Sequence, residues 1–196
     1  MAINRALFYV PTPKYFLTMD YLFVSERAEQ PITGFPQTTK VFIVNRECEY
    51  LQEKDGRIVD VRPGWGPDGL VYDLSAFDLL IKSFKRDGLG GSFTDFRHGA
   101  NSGFSAFQLA LLLGYKEIYL LGYDLSAGAK THWHIGYGEL PTLFRPRLTG
   151  YAKSFINAIQ VCQQLFPDVK IISCSPNSPL NPVIRGRYIP LDEVFK

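Results

Sequence analysis

The chain has 196 residues, of which 46% are hydrophobic and 20% charged, and its formal net charge is +2. A chain of this length can bury a substantial core, so we expect a single domain over residues 1–196. The charge balance is that of an ordinary soluble protein, and the sequence has no cationic patch that would favour a nucleic-acid partner. No apolar run reaches the roughly 18 residues that span a bilayer, and the N-terminus does not resemble a signal peptide.

The cysteines indicate a reducing environment. Cys48, Cys162 and Cys174 are odd in number and far apart in the sequence. This spacing fits free thiols better than a disulfide framework or a zinc site. We therefore expect a cytoplasmic location, and no metal site is assigned to the cysteines.

The N-terminal half predicts strands, one hairpin or loop, and a helix. Residues 15–25 and 40–45 are rich in aromatic and β-branched residues, which is typical of strands. Residues 53–69 are dense in Gly, Pro and Asp and predict a loop or hairpin. Apolar residues recur at helical spacing over residues 74–85, so this segment is predicted to be a helix.

Residues 90–124 carry the clearest local signals. Asn101 or Ser102 can cap a helix, because a short polar side chain accepts hydrogen bonds from the first-turn amides. Residues 104–113 are apolar on nearly every face and predict a buried helix that ends at Gly114. The run 117–123 is continuously apolar and predicts a strand in a sheet covered on both faces.

The C-terminal part continues the alternation of helices and strands. A second helix is predicted over residues 149–166, after a loop that contains Arg145 and Arg147, and a buried strand over 169–174. The tail is predicted to form loops and a short terminal helix. Together these elements indicate an α/β fold, a Rossmann-like sandwich with a mainly parallel sheet.

Three polar clusters follow predicted strands or open the buried helix. They are Asp124 with Ser126, the segment 174–178, and the segment 99–103. In open α/β sheets ligands bind beyond the carboxyl ends of the strands, so we expect these clusters to line one crevice. A helix N-terminus rich in small residues suits a phosphate, although the same residues also cap a core helix.

His132 and His134 flank a tryptophan and leave three interpretations open. In an extended segment their side chains project to one side, and with Asp124 they could form a two-histidine, one-carboxylate metal site. They could instead act in catalysis or contact substrate, or simply pack. His98 precedes the capped helix, where packing or a place in the cleft are the alternatives.

The run "NSGFSAFQLALLLGYKEIYLLGYDLS" at 101–126 resembles a stretch of the bacterial sialyltransferases of glycosyltransferase family 42. The segment "CSPNSPL" at 174–180 resembles their Cys-Pro-Asn-Ser element, and residues 4–25 resemble their second βα segment more loosely. The Asn-Ser-Gly, "LLGYD" and "KTHWH" segments also resemble norphogenetic-type phage proteins of unknown function. That group is related to a superfamily that includes a pterin pyrophosphokinase.

The resemblance implies a glycosyltransferase-like fold that binds a nucleotide or nucleotide-sugar, with a CMP-sugar as one such donor. Asn101 replaces a threonine of the family, and Ser126 stands where the family has a phosphate-contacting tyrosine. The nucleotide-binding residues implied or expected are Asn4, Ser25, Asn101, Ser102, Gly103, Ser126, Asn177 and Ser178.

This chain departs from the family's pattern in two places. The family places its catalytic histidine after an Ile-Gly pair, whereas Ile135-Gly136 is followed by Tyr137 here, so His132, His134 and Asp124 are the catalytic candidates. The family's first βα unit, with its glycine-rich loop, would precede residue 1. Three functions therefore stay open: glycosyl transfer to a glycan acceptor, an inactive phage assembly or interaction protein in the host cytoplasm, and a metal-dependent pyrophosphokinase or hydrolase.

Overall fold

The computed structural model describes residues 1–20, 23–24, 34–45, 51–54, 57–60, 70–72, 74, 76–83, 85–126, 141–184 and 188–194, with the backbone alone for 51–72 and 141–145. The chain divides into two compact units. The first comprises residues 1–86 and 90–106, and the second residues 87–89 and 107–196. The expectation of one domain stays a prediction.

The first unit is built on a parallel sheet. The strands within its described residues are β1 Ala2–Ile3, β2 Tyr15–Thr18, β3 Thr39–Val44, β4 Leu51–Lys54, β5 Arg57–Asp60, β6 Leu70–Tyr72 and β7 Leu79–Lys82. Strands β1, β2, β3 and β7 lie in that order and all pair in parallel. Strands β4, β5 and β6 form a separate antiparallel sheet.

Aromatic side chains fill the core on one face of the parallel sheet. Phe16 of β2 and Phe42 of β3 are fully buried, and both contact the ring of Phe77 at centroid distances of 6.2 and 5.2 Å. Phe23 joins the same cluster through Phe16. Burying such large apolar surfaces is the main stabilising contribution in a domain of this size.

Among the described residues, the second unit contains a pair of parallel strands and three helices. Strand β8 Glu117–Leu120 pairs in parallel with β9 Lys170–Ser173. The helices are α1 Ser102–Leu112, whose first residues belong to the first unit, α2 Pro141–Leu165 and the short α3 Leu191–Val194. Phe107 of α1 contacts Phe155 of α2 at 6.2 Å.

Several predicted elements are confirmed. The chain is an α/β protein with a mainly parallel four-stranded sheet. The strands predicted at 40–45 and 169–174 are β3 and β9, and the hairpin predicted within 53–69 is the β4–β5 pair. The buried helix is α1, and Gly114 ends it at a φ of 81°. In α2, Phe155, Ile159 and Cys162 are fully buried, as the helical spacing predicts.

The helix predicted over 74–85 is wrong, because residues 79–82 form strand β7. A short apolar run such as "DLLIK" fits a strand or a helix equally by periodicity. Pairing decides the outcome: the Lys40 amide donates to the Asp78 carboxylate at 2.7 Å, and the Asp78 amide donates to the Lys40 carbonyl at 2.9 Å. These bonds align the segment along the edge of β3.

Three further predictions need correction. Strand β2 ends at Thr18 rather than continuing to 25, and Phe23 and Val24 are helical. Strand β8 ends at Leu120 and is buried on one face only, since Tyr119 is 39% exposed. The segment with Arg145 and Arg147 belongs to α2 rather than to a loop. Pro146 lies inside α2, where its missing amide removes one helical hydrogen bond and its ring crowds the carbonyl of the preceding turn.

Gly90 and Gly91 offer a matched test of the loop that precedes α1. A Cβ atom on Gly90 would lie 1.6 Å from the Asp95 carbonyl oxygen, whereas a Cβ on Gly91 would meet nothing within 4 Å. We predict that Gly90→Ala lowers the free energy of unfolding by about 1–3 kcal/mol. Gly91→Ala should change it by less than about 0.5 kcal/mol. Urea denaturation of both variants measures the difference, and equal values would contradict the loop geometry.

Candidate functional site

Thr18 connects two segments at the carboxyl end of β2. Its hydroxyl donates to Asn4 Oδ1 at 2.8 Å and accepts from the Asp20 amide at 3.1 Å. Thr18 is fully buried, and Asn4 is half-buried directly after β1. Asn4 has a φ of 49°, a left-handed conformation that asparagine tolerates better than most residues. The pair therefore fixes the Asn4 carboxamide at the ends of β1 and β2.

The loop before α1 is shaped by a left-handed turn. Gly99 has a φ of 59°, and a Cβ at this position would lie 2.2 Å from the ring of Phe104. Ala100 follows with a φ of 53°, and its amide donates to His98 Nδ1 at 2.9 Å. Asn101 then caps the helix, because its Oδ1 accepts from the Phe104 amide at 3.1 Å. The capping prediction is confirmed for Asn101.

Ser102 connects the start of α1 to the end of β2. The Met19 amide donates to Ser102 Oγ at 3.3 Å, and the Ser102 side chain is nearly buried. A second helix residue, Ser105, donates its hydroxyl to the His98 carbonyl at 3.2 Å. Asn4 and Ser102 are thus bonded to consecutive residues, Thr18 and Met19. We call the group Asn4, Thr18 and Ser102 the β2 rim.

The β2 rim retains hydrogen-bond donors after its internal bonds are made. Ser102 uses its oxygen as an acceptor, and its hydroxyl proton has no acceptor among the described residues. Asn4 uses Oδ1, and its Nδ2 group likewise makes no bond within the described part of the chain. The N-terminus of α1, which carries the positive end of the helix dipole, begins at Ser102. These groups together suit an anionic ligand such as a phosphate.

A second polar cluster lies in the other unit, where β8 and β9 end. The Ser178 hydroxyl donates to the Tyr123 carbonyl at 2.7 Å and accepts from the Leu180 amide at 3.3 Å. Ser178 is buried, so these bonds tie the loop after β9 to the loop after β8. Burial raises the pKa of Tyr123, whose ring packs edge-on against Phe155 at 5.3 Å. The phenol therefore stays neutral.

Three other candidates in this cluster are exposed. Asp124, Ser126 and Asn177 all lie on the surface after the strand ends. Leu125, between the first two, has a φ of 48°. Burial raises the pKa of the Cys174 thiol, which makes it a poor nucleophile at neutral pH. The structure thus brings Asp124, Ser126, Asn177 and Ser178 to one end of the β8–β9 pair.

The remaining candidates have three different outcomes. Gly103 is half-buried at the second position of α1, beside Ser102. Ser25, His132 and His134 lie outside the described residues, so their roles stay predictions. His98 is buried and its Nδ1 accepts a backbone hydrogen bond, which agrees with a packing role rather than a place in the cleft. Within the described ranges, no three His, Cys, Asp or Glu residues are grouped closely enough to hold a metal ion.

Three polar residues at strand ends were not among the candidates predicted from the sequence. Thr18 ends β2, Asn45 follows β3, and Ser83 follows β7, where its hydroxyl donates to the Phe96 carbonyl at 2.8 Å. Asn45 Oδ1 is closed to solvent and has no hydrogen-bond partner in the described structure. A single polar residue at the end of an apolar run, as in "YFLTMD" and "KVFIVN", is the signal that marks the first two positions.

Comparison with known proteins gives no relative: no family model, curated protein or solved structure matches the chain. Among the helices described, none is long and apolar enough to cross a membrane. The functional argument therefore depends on the geometry of the β2 rim and on the sequence.

We predict that Asn101→Ala lowers the free energy of unfolding by about 1 kcal/mol, because the Phe104 amide loses its cap. Asn157 lies exposed in the interior of α2, where alanine is the better helix former, so Asn157→Ala should be neutral or slightly stabilising. Chemical denaturation of the two variants measures this contrast. An Asn101→Ala variant as stable as the native protein would show that the cap does not contribute.

Proposed function

We propose that the protein binds a nucleotide or nucleotide-sugar, with a phosphate group held at the β2 rim. The observation that carries this proposal is the convergence of Asn4 and Ser102 on the consecutive residues Thr18 and Met19. Asn4 and Ser102 are far apart in the sequence, and the resemblance to the sialyltransferases independently implies that both contact the nucleotide. Two separate arguments thus support the same pair of side chains.

The charge distribution favours a phosphate over a neutral ligand. The three rim side chains carry no carboxylate, and the groups they leave unused within the described part of the chain are donors: the Ser102 hydroxyl and the Asn4 Nδ2. The Asp20 carboxylate, two residues beyond Thr18, accepts from the Phe23 amide at 3.2 Å. Arg5 follows Asn4 directly and is half-buried. Donors that are already fixed in place bind an anion at a lower entropic cost than mobile side chains would.

If the fold is Rossmann-like and similar to that of glycosyltransferases, the bound nucleotide-sugar would be the donor in a sugar-transfer reaction. Transfer needs a general base that takes the proton of the acceptor hydroxyl. From the sequence, His132 and His134 are the candidates for this base, with Asp124 as a further catalytic candidate. Asn177 and Ser178 are expected from the sequence to contact the base or ribose of a nucleotide; they lie in the second unit, and the proposal for the β2 rim does not depend on them.

We predict that CMP, UDP, GDP or one of their sugars raises the thermal midpoint by a few degrees, because a ligand that binds only the folded state stabilises it. Isothermal titration calorimetry should then give a dissociation constant that rises about tenfold or more in Ser102→Ala and in Asn4→Ala. The reason is that a hydrogen bond to a charged group contributes about 1.5–3 kcal/mol.

The matched control is Ser154→Ala, which removes a hydroxyl from α2 in the second unit and should leave the dissociation constant unchanged. If none of these compounds shifts the midpoint, the proposal fails and the interaction-protein alternative is favoured. Equal losses of affinity in Ser102→Ala and Ser154→Ala would also contradict the assignment of the phosphate to the β2 rim.

A further inference from the structure

A pocket of about 560 Å³ lies beside β7, in the first unit. Strand β7 is the last strand of the described parallel sheet and pairs there with β3 alone. The 3-10 helix Phe93–Asp95 and the following Phe96 form the opposite wall. The volume is within the range of about 300–1,000 Å³ that is typical of small-molecule sites.

The walls of this β7 pocket are mainly apolar. Ile81 and Phe96 are buried at 4% and 2% exposure, whereas Leu79, Leu80 and Phe93 are 41%, 41% and 45% exposed. All five residues line the pocket. Large apolar side chains that are grouped around a concave surface and left open to water indicate a binding site more strongly than scattered ones do.

Hydrogen bonds hold the outer wall in place. The Ser92 hydroxyl caps the 3-10 helix by accepting from the Asp95 amide at 3.2 Å. The Asp95 carboxylate accepts from Lys85 at 2.8 Å and from Arg97 at 3.3 Å. The hydrogen bond from Lys85 is the main cause that lowers the pKa of Asp95, so the carboxylate is charged at neutral pH. These bonds fix the position of the 3-10 helix that forms this wall.

Among the described residues that line the pocket, positive charges outnumber negative ones. Its ionisable lining residues are Lys82, Lys85 and Asp95. Lys85 is paired with Asp95, whereas Lys82 makes no ion pair within the described residues. A single available ammonium group beside apolar walls complements a ligand with one negative charge on an apolar body.

We propose that the β7 pocket binds a small amphipathic anion, in which an aliphatic or aromatic body contacts Leu79, Leu80 and Phe93 and one acidic group pairs with Lys82. A phosphate-rich nucleotide is a poor match, because most of the wall is apolar. This site is separate from the β2 rim and does not depend on the proposed nucleotide binding.

The probe for this site is anilinonaphthalene sulfonate, with the uncharged phenylnaphthylamine as its matched analogue. Titration of the ¹⁵N-labelled full chain should produce saturable shifts of the backbone amides of Leu80, Lys82 and Thr94. Lys82→Gln should weaken the sulfonate about three- to tenfold and leave the uncharged analogue unchanged. Leu80→Glu should abolish sulfonate binding, because it places a negative charge in the pocket.

Two control variants separate an effect at the β7 pocket from a general effect of changing the surface charge. Lys153→Gln removes an exposed lysine from α2, and Tyr119→Glu adds a charge at an exposed position of β8 that matches Leu80 in exposure. Both should bind the sulfonate like the native protein. The proposal is overturned if shifts appear only elsewhere, or if Lys82→Gln and Lys153→Gln weaken the probe equally. It is also overturned if the exposed face of β7 is occupied by a second copy of the chain, seen as slower translational diffusion at higher concentration.

Discussion

The end of β2 places a constraint on the first unit, because a strand that ends in a buried region leaves backbone amides that need acceptors. Side chains meet this need here. Thr18 Oγ1 accepts from the Asp20 amide, and Ser102 Oγ accepts from the Met19 amide. Each acceptor is a hydroxyl, so each also has a proton to donate. Thr18 donates its proton to Asn4, and the Ser102 proton has no acceptor among the described residues. The groups that complete the fold therefore also present donors at its rim.

The two sites proposed in this unit illustrate different ways of forming a binding surface. The β2 rim is polar and is held by side-chain bonds between distant segments. The β7 pocket is mainly apolar. Its wall is fixed by the hydrogen bond from Ser83 to the Phe96 carbonyl and by the ion pairs of Asp95. In both cases hydrogen bonds within the protein fix the groups that would meet a ligand. Such preorganisation lowers the entropic cost of binding.

Much of the fold could be predicted from the sequence where the signal is local. The cap at Asn101, the stop at Gly114 and the buried strand β3 all depend on short patterns with a direct physical cause. Strand β7 could not be predicted, because its identity depends on pairing with β3, which lies some forty residues earlier in the chain. The residues of the candidate site show the same contrast between local signals and long-range contacts. Ser102 is marked by the helix start, whereas Thr18 gains its role only through Asn4 and Asp20.

The most direct test of the β2 rim is a ¹H–¹⁵N NMR titration of the native protein with CMP, in which both units are observed at once. The account predicts saturable shifts of the Met19 and Ser102 amides and of the Asn4 side-chain NH₂, with a single dissociation constant for all three. Shifts confined to residues around Asp124 and Asn177, or no saturable shift at any of these positions, would contradict it.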